Sequence, residues 1–280
     1  MFENRFARLL KAAGLVGVVL VLAACASAPT RRPLGETGSS ADDESVAIAR
    51  AGTQKPAVVL QAGLQYGKNT WSKLMPQVAA QRMVVATDRP GHGGNPSTSA
   101  PRDPCTIAAE QRQLLRQAGV EPPYILVGHS LGGLYQYTYA KLYPQEVAGL
   151  VLLDPTHPRH WETMQRATPQ LADLVKAMRF AAFSRVDKEE FDAQAVCLDR
   201  LNMAQPLNLP ARLLFSGRRQ PEEKGAFEAM LKGLRQNWLG LLGTRDMKVV
   251  WDSGHFIQNE SPDEVLSAIK QVAAEAAARR

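Results

Sequence analysis

The sequence predicts an α/β fold: a mostly parallel central sheet with helices on both faces and a helical cap insertion. Three observations predict it. Apolar, strand-like runs recur at 58–61, 83–86, 125–127, 150–153, 212–215 and 247–250. Helical patterns lie between most of them, such as Thr106 to Ala118 and Leu131 to Leu142, and strands that alternate with helices build a parallel sheet covered on both sides. The gap between the runs ending at 153 and starting at 212 is too long for one crossover. It carries Trp161, Met164, Leu171, Leu174, Val175, Met178, Phe180 and Phe183 in roughly helical spacing. About 157–207 is therefore read as a cap whose apolar residues mostly glue it to the sheet, while its apolar side could also form one wall of a hydrophobic pocket.

Taken in order, the elements begin with an export signal. The chain has 280 residues and a formal net charge of +6. Arg5, Arg8 and Lys11 precede an apolar run from Ala12 to Ala24. A basic start, a short apolar core and small closing residues read as a signal peptide over residues 1–24. The run is shorter than the roughly 20 apolar residues that span a membrane as a helix. Its close, Leu22-Ala23-Ala24-Cys25, resembles a bacterial lipobox. That resemblance implies cleavage before Cys25, lipid on Cys25 and a protein anchored in the bacterial cell envelope. With Ala26 next, the expected place in a Gram-negative cell is the periplasmic face of the outer membrane. Residues 25–45 are rich in Ser, Pro, Gly, Thr and charge, a composition that buries no core and reads as a flexible tether. Residues 46–280 have the size of one domain with an insertion. Removal of residues 1–24 takes away Arg5, Arg8, Lys11 and Glu3 and leaves +4. No basic block is interleaved with aromatics, so no nucleic-acid partner is expected. A monomer touching the membrane through its lipid is.

The chemistry is concentrated in Tyr124-Ile125-Leu126-Val127-Gly128-His129-Ser130-Leu131-Gly132-Gly133-Leu134. Apolar β-formers run straight into Gly-x-Ser-x-Gly and a helical stretch follows, which is the strand, tight turn and helix of a nucleophile elbow. Ser130 stands at the tip. Gly128 and Gly132 let strand and helix approach closely. A hydroxyl is a poor nucleophile at neutral pH and needs a base that is itself oriented by an acid. The chain order for this architecture is Ser, acid, His. Of the five histidines, His92, His129, His157, His160 and His255, only His255 lies in the last third. It follows the strand-like Val249-Val250 on a Gly-containing loop, ahead of a helix opened by Pro262, and is the expected base.

Four segments occur in an order that resembles the α/β-hydrolase family of esterase and lipase type. They are Val58-Val59-Leu60-Gln61-Ala62-Gly63-Leu64, Asp88-Arg89-Pro90-Gly91-His92-Gly93, Gly128-His129-Ser130-Leu131-Gly132-Gly133 and Ser253-Gly254-His255-Phe256. The resemblance covers about Ala57 to Ala274. It implies a serine hydrolase that cleaves a carboxylic ester, or a related acyl bond, through a Ser-His-acid triad and an acyl-enzyme. No cofactor is implied, and the partner is a small-molecule acyl substrate with an apolar acyl group. The family's acid usually follows the last strand but one, yet no aspartate occurs in Ser216-Gly217-Arg218-Arg219-Gln220-Pro221-Glu222-Glu223. Asp154, which ends Leu150-Val151-Leu152-Leu153, is preferred because a strand-end carboxylate points to the same sheet edge as Ser130. Glu222 and Glu223 stay open as alternatives, although after Pro221 they have the look of a helix start, where acids favour the dipole. The oxyanion hole needs two backbone N–H groups. Leu131 supplies one, and Leu64, after the flexible Gly63, the other. Many relatives read His-Gly where this chain reads Ala62-Gly63.

Cys105 and Cys197 remain after Cys25. In an oxidising compartment two leftover cysteines form a candidate disulfide, which here would staple cap to body. Asp154, His157 and His160 raise a metal question, but Pro155 and Pro158 break the segment, so the two histidines share no helical face and no metal is expected. The reading that competes with an enzyme is a catalytically silent domain serving as an envelope binding or scaffold lipoprotein. The missing aspartate is the feature that favours it.

Overall fold

The computed structural model describes residues 47–218 and 224–279. The signal peptide, the lipidation site at Cys25, the tether and the alternative acids Glu222 and Glu223 lie outside the described residues. Among these, seven strands form one sheet: β1 Ile48–Ala51, β2 Ala57–Gln61, β3 Val84–Thr87, β4 Tyr124–His129, β5 Val147–Leu153, β6 Ala211–Ser216 and β7 Met247–Val250. The helices are α1 Met75–Ala79, α2 Pro104–Gln117, α3 Leu131–Leu142, α4 His160–Ala167, α5 Pro169–Ala182, α6 Arg185–Asp192, α7 Ala226–Leu242, α8 Ile257–Glu260 and α9 Pro262–Ala278.

The strand order is β1-β3-β2-β4-β5-β6-β7. Every pairing is parallel except β1 with β3, which is antiparallel. β1 had no counterpart among the predicted runs. Ile48-Ala49-Arg50-Ala51 is short, with Ala49 buried and Arg50 exposed, as a one-sided edge strand allows.

Successive residues of a strand point to opposite faces. Here both faces are covered, so consecutive residues serve different layers. Ala57, Val59, Leu126, Leu150 and Leu213 pack with Ile107 and Leu115 of α2, Leu134 of α3 and Trp238 of α7. Val58, Leu60, Val127, Val151 and Leu214 pack on the other side with Trp71, Leu74 and the α9 residues Val265, Ile269 and Val272. This double burial is why the strands read as unbroken apolar runs. Each fully buried Val or Leu contributes about 1.5–3 kcal/mol.

Helices α4, α5 and α6 form the cap between β5 and β6. α6 starts with a capping box: the Ser184 hydroxyl accepts the Asp187 N–H while the Asp187 carboxylate accepts the Ser184 N–H, which satisfies two otherwise orphaned donors. Beyond α6, Cys197 is joined to Cys105 of α2 by a disulfide, with Cα atoms 6.3 Å apart. Of the two roles open to the apolar stripe of the cap, glue prevails. Met164, Ala172, Trp161 and Val175 pack on Met230, Phe227, Leu231 and Leu234 of α7, gluing cap to body instead of walling a pocket, while Phe180 is 80% exposed.

Candidate active site

The elbow follows directly from β4 running into α3. Ser130 is the N-cap of α3 at φ 54°, ψ −124°, a conformation that costs a non-glycine residue on the order of 1–3 kcal/mol. The surroundings hold it there. Its N–H donates to the Leu153 carbonyl at 2.9 Å, and its own carbonyl accepts from Gly133 and Thr156, each at 2.9 Å. A Cβ at Gly128 would lie 2.4 Å from the Gly132 carbonyl oxygen, and one at Gly132 would lie 2.3 Å from the Gln61 carbonyl oxygen. Only glycine permits this approach.

Asp154 leaves the end of β5 with φ 41°, a region aspartate tolerates better than most residues. The structure brings it to His255: Nδ1 of the imidazole is 2.8 Å from Asp154 Oδ2. The same carboxylate accepts the Ser216 hydroxyl at 3.0 Å and the Arg235 guanidinium at 3.2 Å. Burial alone raises the Asp154 pKa. The His255 hydrogen bond and charge, Arg235 and Ser216 together outweigh it and hold the carboxyl well below the usual carboxylate range. Asp154 is thus a fixed negative charge at neutral pH. Its hydrogen bond places a proton on Nδ1 and leaves Nε2 as the nitrogen turned away from the carboxylate.

Next to Ser130, His129 supports His255 from behind. Its Nε2–H donates to the His255 carbonyl at 2.9 Å, and the two rings lie 4.6 Å apart. Burial, followed by the nearby His255, lowers the His129 pKa to about 3, so it is a neutral donor. Phe256 lies 5.1 Å from His129 and 5.1 Å from Tyr66, joining the His255 loop to the loop after β2.

That loop places Gly63 against Ser130: a Cβ on Gly63 would lie 3.0 Å from the Ser130 Cβ. The Tyr66 N–H donates to the Gly63 carbonyl at 3.2 Å, closing a turn over Leu64 and over Gln65 at φ 67°. Leu131 opens α3, where backbone N–H groups lack intrahelical partners. The start of α3 at Leu131 and the loop after β2 at Gly63, next to Leu64, therefore adjoin the serine from two sides.

Ser130, Asp154 and His255 line one cavity of about 260 Å³. Its apolar wall is Phe215 of β6 with Phe227, Leu231, Leu234 and Trp238 of α7. His157 and His160 border it as well, but His157 is fully engaged. Its Nε2–H donates to Asn237 Oδ1 at 2.9 Å and its Nδ1 accepts the Arg159 N–H at 3.0 Å. Burial brings it down to about 4. The remaining close group of ligand-type side chains among the described residues is Asp103, Cys105 and Cys197, whose two sulfurs are bonded to each other.

Three supporting residues escaped the sequence reading: Ser216, Arg235 and Arg89. Arg89 lies beside Asp88 in the family-like segment Asp88-Arg89-Pro90-Gly91-His92-Gly93, where no role was expected of it. It is buried, with Nη1 2.8 Å from the Ala62 carbonyl and Nη2 3.0 Å from the Gly63 carbonyl. Arg235 sits on an amphipathic helix, where a charged residue ordinarily meets solvent, and nothing local in the sequence marks it.

The sheet, elbow and cap define a class, and comparison with known proteins names it. A family model described as alpha/beta hydrolase fold matches residues 56–230, and the chain belongs to that family. It is similar to YqjL of Bacillus subtilis, 27% identical over 237 residues covering 80% of this chain and 85% of that one. It is also similar to a fluoroacetate dehalogenase of Burkholderia, 29% identical over 146 residues covering 45% of this chain and 48% of the other. Among solved structures, the epoxide hydrolase CorEH shares the fold at a TM-score of 0.60 and 19% identity, covering 81% and 94% of the two chains. A thermophilic esterase from Thermogutta terrifontis does so at 0.58 and 18%, covering 82% and 93%.

Proposed function

We propose that the protein is a hydrolase that cleaves a carboxylic ester, or a related acyl bond, through Ser130, His255 and Asp154. The observation that carries this reading is the 2.8 Å contact of His255 Nδ1 with Asp154 Oδ2 on the cavity that also holds Ser130. The Ser130 hydroxyl attacks the ester carbonyl while His255 Nε2 takes its proton. The tetrahedral oxyanion is held by the N–H groups of Leu131 and Leu64. His255 returns the proton to the departing alkoxide, leaving an acyl-serine, and a water activated by the same nitrogen hydrolyses it. The wall of Phe215, Phe227, Leu231 and Trp238 favours an apolar acyl group.

The relatives' names include dehalogenation and epoxide opening. Both displace a group at a saturated carbon, where a serine oxygen would form an ether that water does not cleave. A carboxylate nucleophile would form a hydrolysable ester. Ser130 at the elbow therefore favours acyl chemistry. The competing silent-scaffold reading rested on a missing acid after β6, and Asp154 supplies a carboxylate to His255 from β5 instead.

A fluorophosphonate probe tests the proposal. Ser130 is expected to be labelled and Ser130→Ala is not, and a p-nitrophenyl ester series should show turnover that Ser130→Ala loses. Ester hydrolysis retained by Ser130→Ala would overturn it. We further propose that Cys25 is lipidated and that residues 26–45 tether the domain to the envelope, since several acyl chains, at about 0.8 kcal/mol per buried methylene, anchor a protein stably.

A further inference from the structure

Arg89 lies outside the reacting set, yet its guanidinium grips the loop that carries Leu64. Nη1 and Nη2 hold the carbonyls of Ala62 and Gly63 at 2.8 and 3.0 Å. In a planar trans peptide C=O and N–H point in opposite directions. Fixing these two carbonyls therefore fixes the N–H groups of Gly63 and Leu64 to point away from Arg89. The loop needs such support, because Gln65 holds a φ of 67° that a non-glycine residue rarely adopts.

The rest of the guanidinium belongs to the cap. Nε and Nη2 form a bidentate pair with Glu190 of α6 at 2.8 and 2.9 Å. Both partners are buried, with side-chain exposures of 3% and 0%. Burial by itself would raise the Glu190 pKa, but Arg89 and His92 bring it down to about 2. His92 Nε2 is 3.1 Å from Glu190 Oε1, and Arg89 also lies over the Tyr135 ring at 5.3 Å. Of the five N–H groups of an arginine, four are divided between the loop after β2 and the cap. A lysine cannot reproduce this planar fork.

We propose that Arg89, locked by Glu190, is the positioning residue of the oxyanion loop, so that the seating of α6 sets the aim of the Leu64 N–H. This rests on the serine-hydrolase reading above. If it holds, the cap is part of the catalytic geometry as well as a cover, and a cap that lifts off Arg89 takes with it the counter-ion of a buried charge.

The test uses the full chain with p-nitrophenyl butyrate as substrate and a trifluoromethyl ketone as the tetrahedral mimic. Arg89→Met should lower kcat about 10²-fold, the loss typical of one oxyanion donor, with KM within about threefold of wild type. Ketone affinity should fall by the same factor as kcat/KM, a change a merely structural role would not produce. Arg89→Lys should recover part of both losses, and Glu190→Gln should show a smaller loss in the same direction. The proposal is overturned if Arg89→Met keeps wild-type kcat, changes KM alone, or loses kcat at unchanged ketone affinity. Where Arg89→Met does not fold, Glu190→Gln decides by the same two readouts, and unchanged values refute. Failure of the hydrolase reading looks different: the wild-type chain itself then neither labels with fluorophosphonate nor turns over ester.

Discussion

His255 Nδ1 meets Asp154 Oδ2 at 2.8 Å across 101 residues of sequence, and the carboxylate arrives from the end of β5. At the end of β6, just before the loop where the family's acid usually lies, this chain has Ser216. Its hydroxyl and N–H both turn toward Asp154, at 3.0 and 3.4 Å. The end of β6 has become a support for an acid supplied by its neighbouring strand, and Arg235 adds a cation from α7.

Asp154→Asn is therefore expected to lower kcat by about 10⁴, because an amide favours the wrong imidazole tautomer while keeping the shape. Circular dichroism and melting temperature should stay near wild type. Ser216→Ala removes one of several donors to the carboxylate and should be far milder. A crippling Glu222→Gln or Glu223→Gln beside a mild Asp154→Asn would assign the acid to the other candidates.

His129→Phe keeps a ring between Ser130 and Phe256 but loses the donor to the His255 carbonyl. The His255 loop then has one anchor fewer, and a misplaced base costs turnover. A fall in kcat of about tenfold, within the range that small displacements cause, is expected. Stability should drop by about 1 kcal/mol for the lost hydrogen bond. Steady-state kinetics and urea denaturation measure the two separately.

These relationships show what the sequence could and could not carry. The elbow was legible because its signal is local: β-formers, two glycines and a serine within a few residues fix strand, turn and helix together. Asp154 was legible only as one of three candidate carboxylates, since which strand end reaches His255 is decided by sheet order, and sheet order is not a local property. The cap was legible as helical, and its stripe as either pocket wall or glue, without the element it meets. Periodicity shows that Met164 and Val175 share a face and is silent on what covers that face, which turned out to be α7. β1 was missed because four residues with one buried apolar side make a weak pattern. Arg89 and Arg235 were missed for a common reason: a charge is read as solvated unless its buried partner, 101 residues away in the case of Glu190, is already known.

Acid stability should fall in two stages. His129 and His157 are neutral in the fold, lowered from 6.5 to about 3 and about 4, whereas the unfolded chain binds protons at both near 6.5. Between those values the unfolded state holds more protons, so stability falls as pH drops below 6.5, by at most about 1.4 kcal/mol per pH unit for each group. Glu190 acts in the same direction lower down: its folded pKa of about 2 lies below the usual 4.5, so its contribution is complete above 4.5 and is lost as pH falls toward 2. Urea midpoints measured from pH 8 to pH 3 should show this. His157→Gln should flatten the upper stage and Glu190→Gln the lower one.

The Cys105–Cys197 bond closes a sequence separation of 92 residues and ties the exit of the cap to α2. Constraint of the unfolded chain by such a loop is worth about 2–4 kcal/mol. Added reductant, or the pair Cys105→Ser and Cys197→Ser, should lower the urea midpoint accordingly. Mass spectrometry of the non-reduced protein should find neither thiol alkylatable.

Truncation separates the proposed anchor from the folded domain. A chain starting at Ser45 retains Ala47, whose carbonyl accepts the Asp88 N–H at 2.8 Å, and all of β1 with its register from Ile48 opposite Thr87 to Ala51 opposite Val84. It should fold, stay in solution and hydrolyse soluble esters at the rate of the full chain, because the proposed lipid would set only where the domain works. A chain starting at Gly52 has the same apolar core and the same triad but loses β1. The N–H and C=O groups of β3 that faced it are then an open edge, and open edges pair with other chains. This shorter chain is expected to aggregate, with a lower melting temperature in whatever fraction remains monomeric. Light scattering and melting curves of the two truncations, run side by side, check both halves. If the Ser45 chain fails to fold, residues before it belong to the domain and the tether reading is wrong. If the Gly52 chain behaves like the Ser45 chain, the antiparallel edge strand is dispensable and the sheet begins, in energetic terms, at β3.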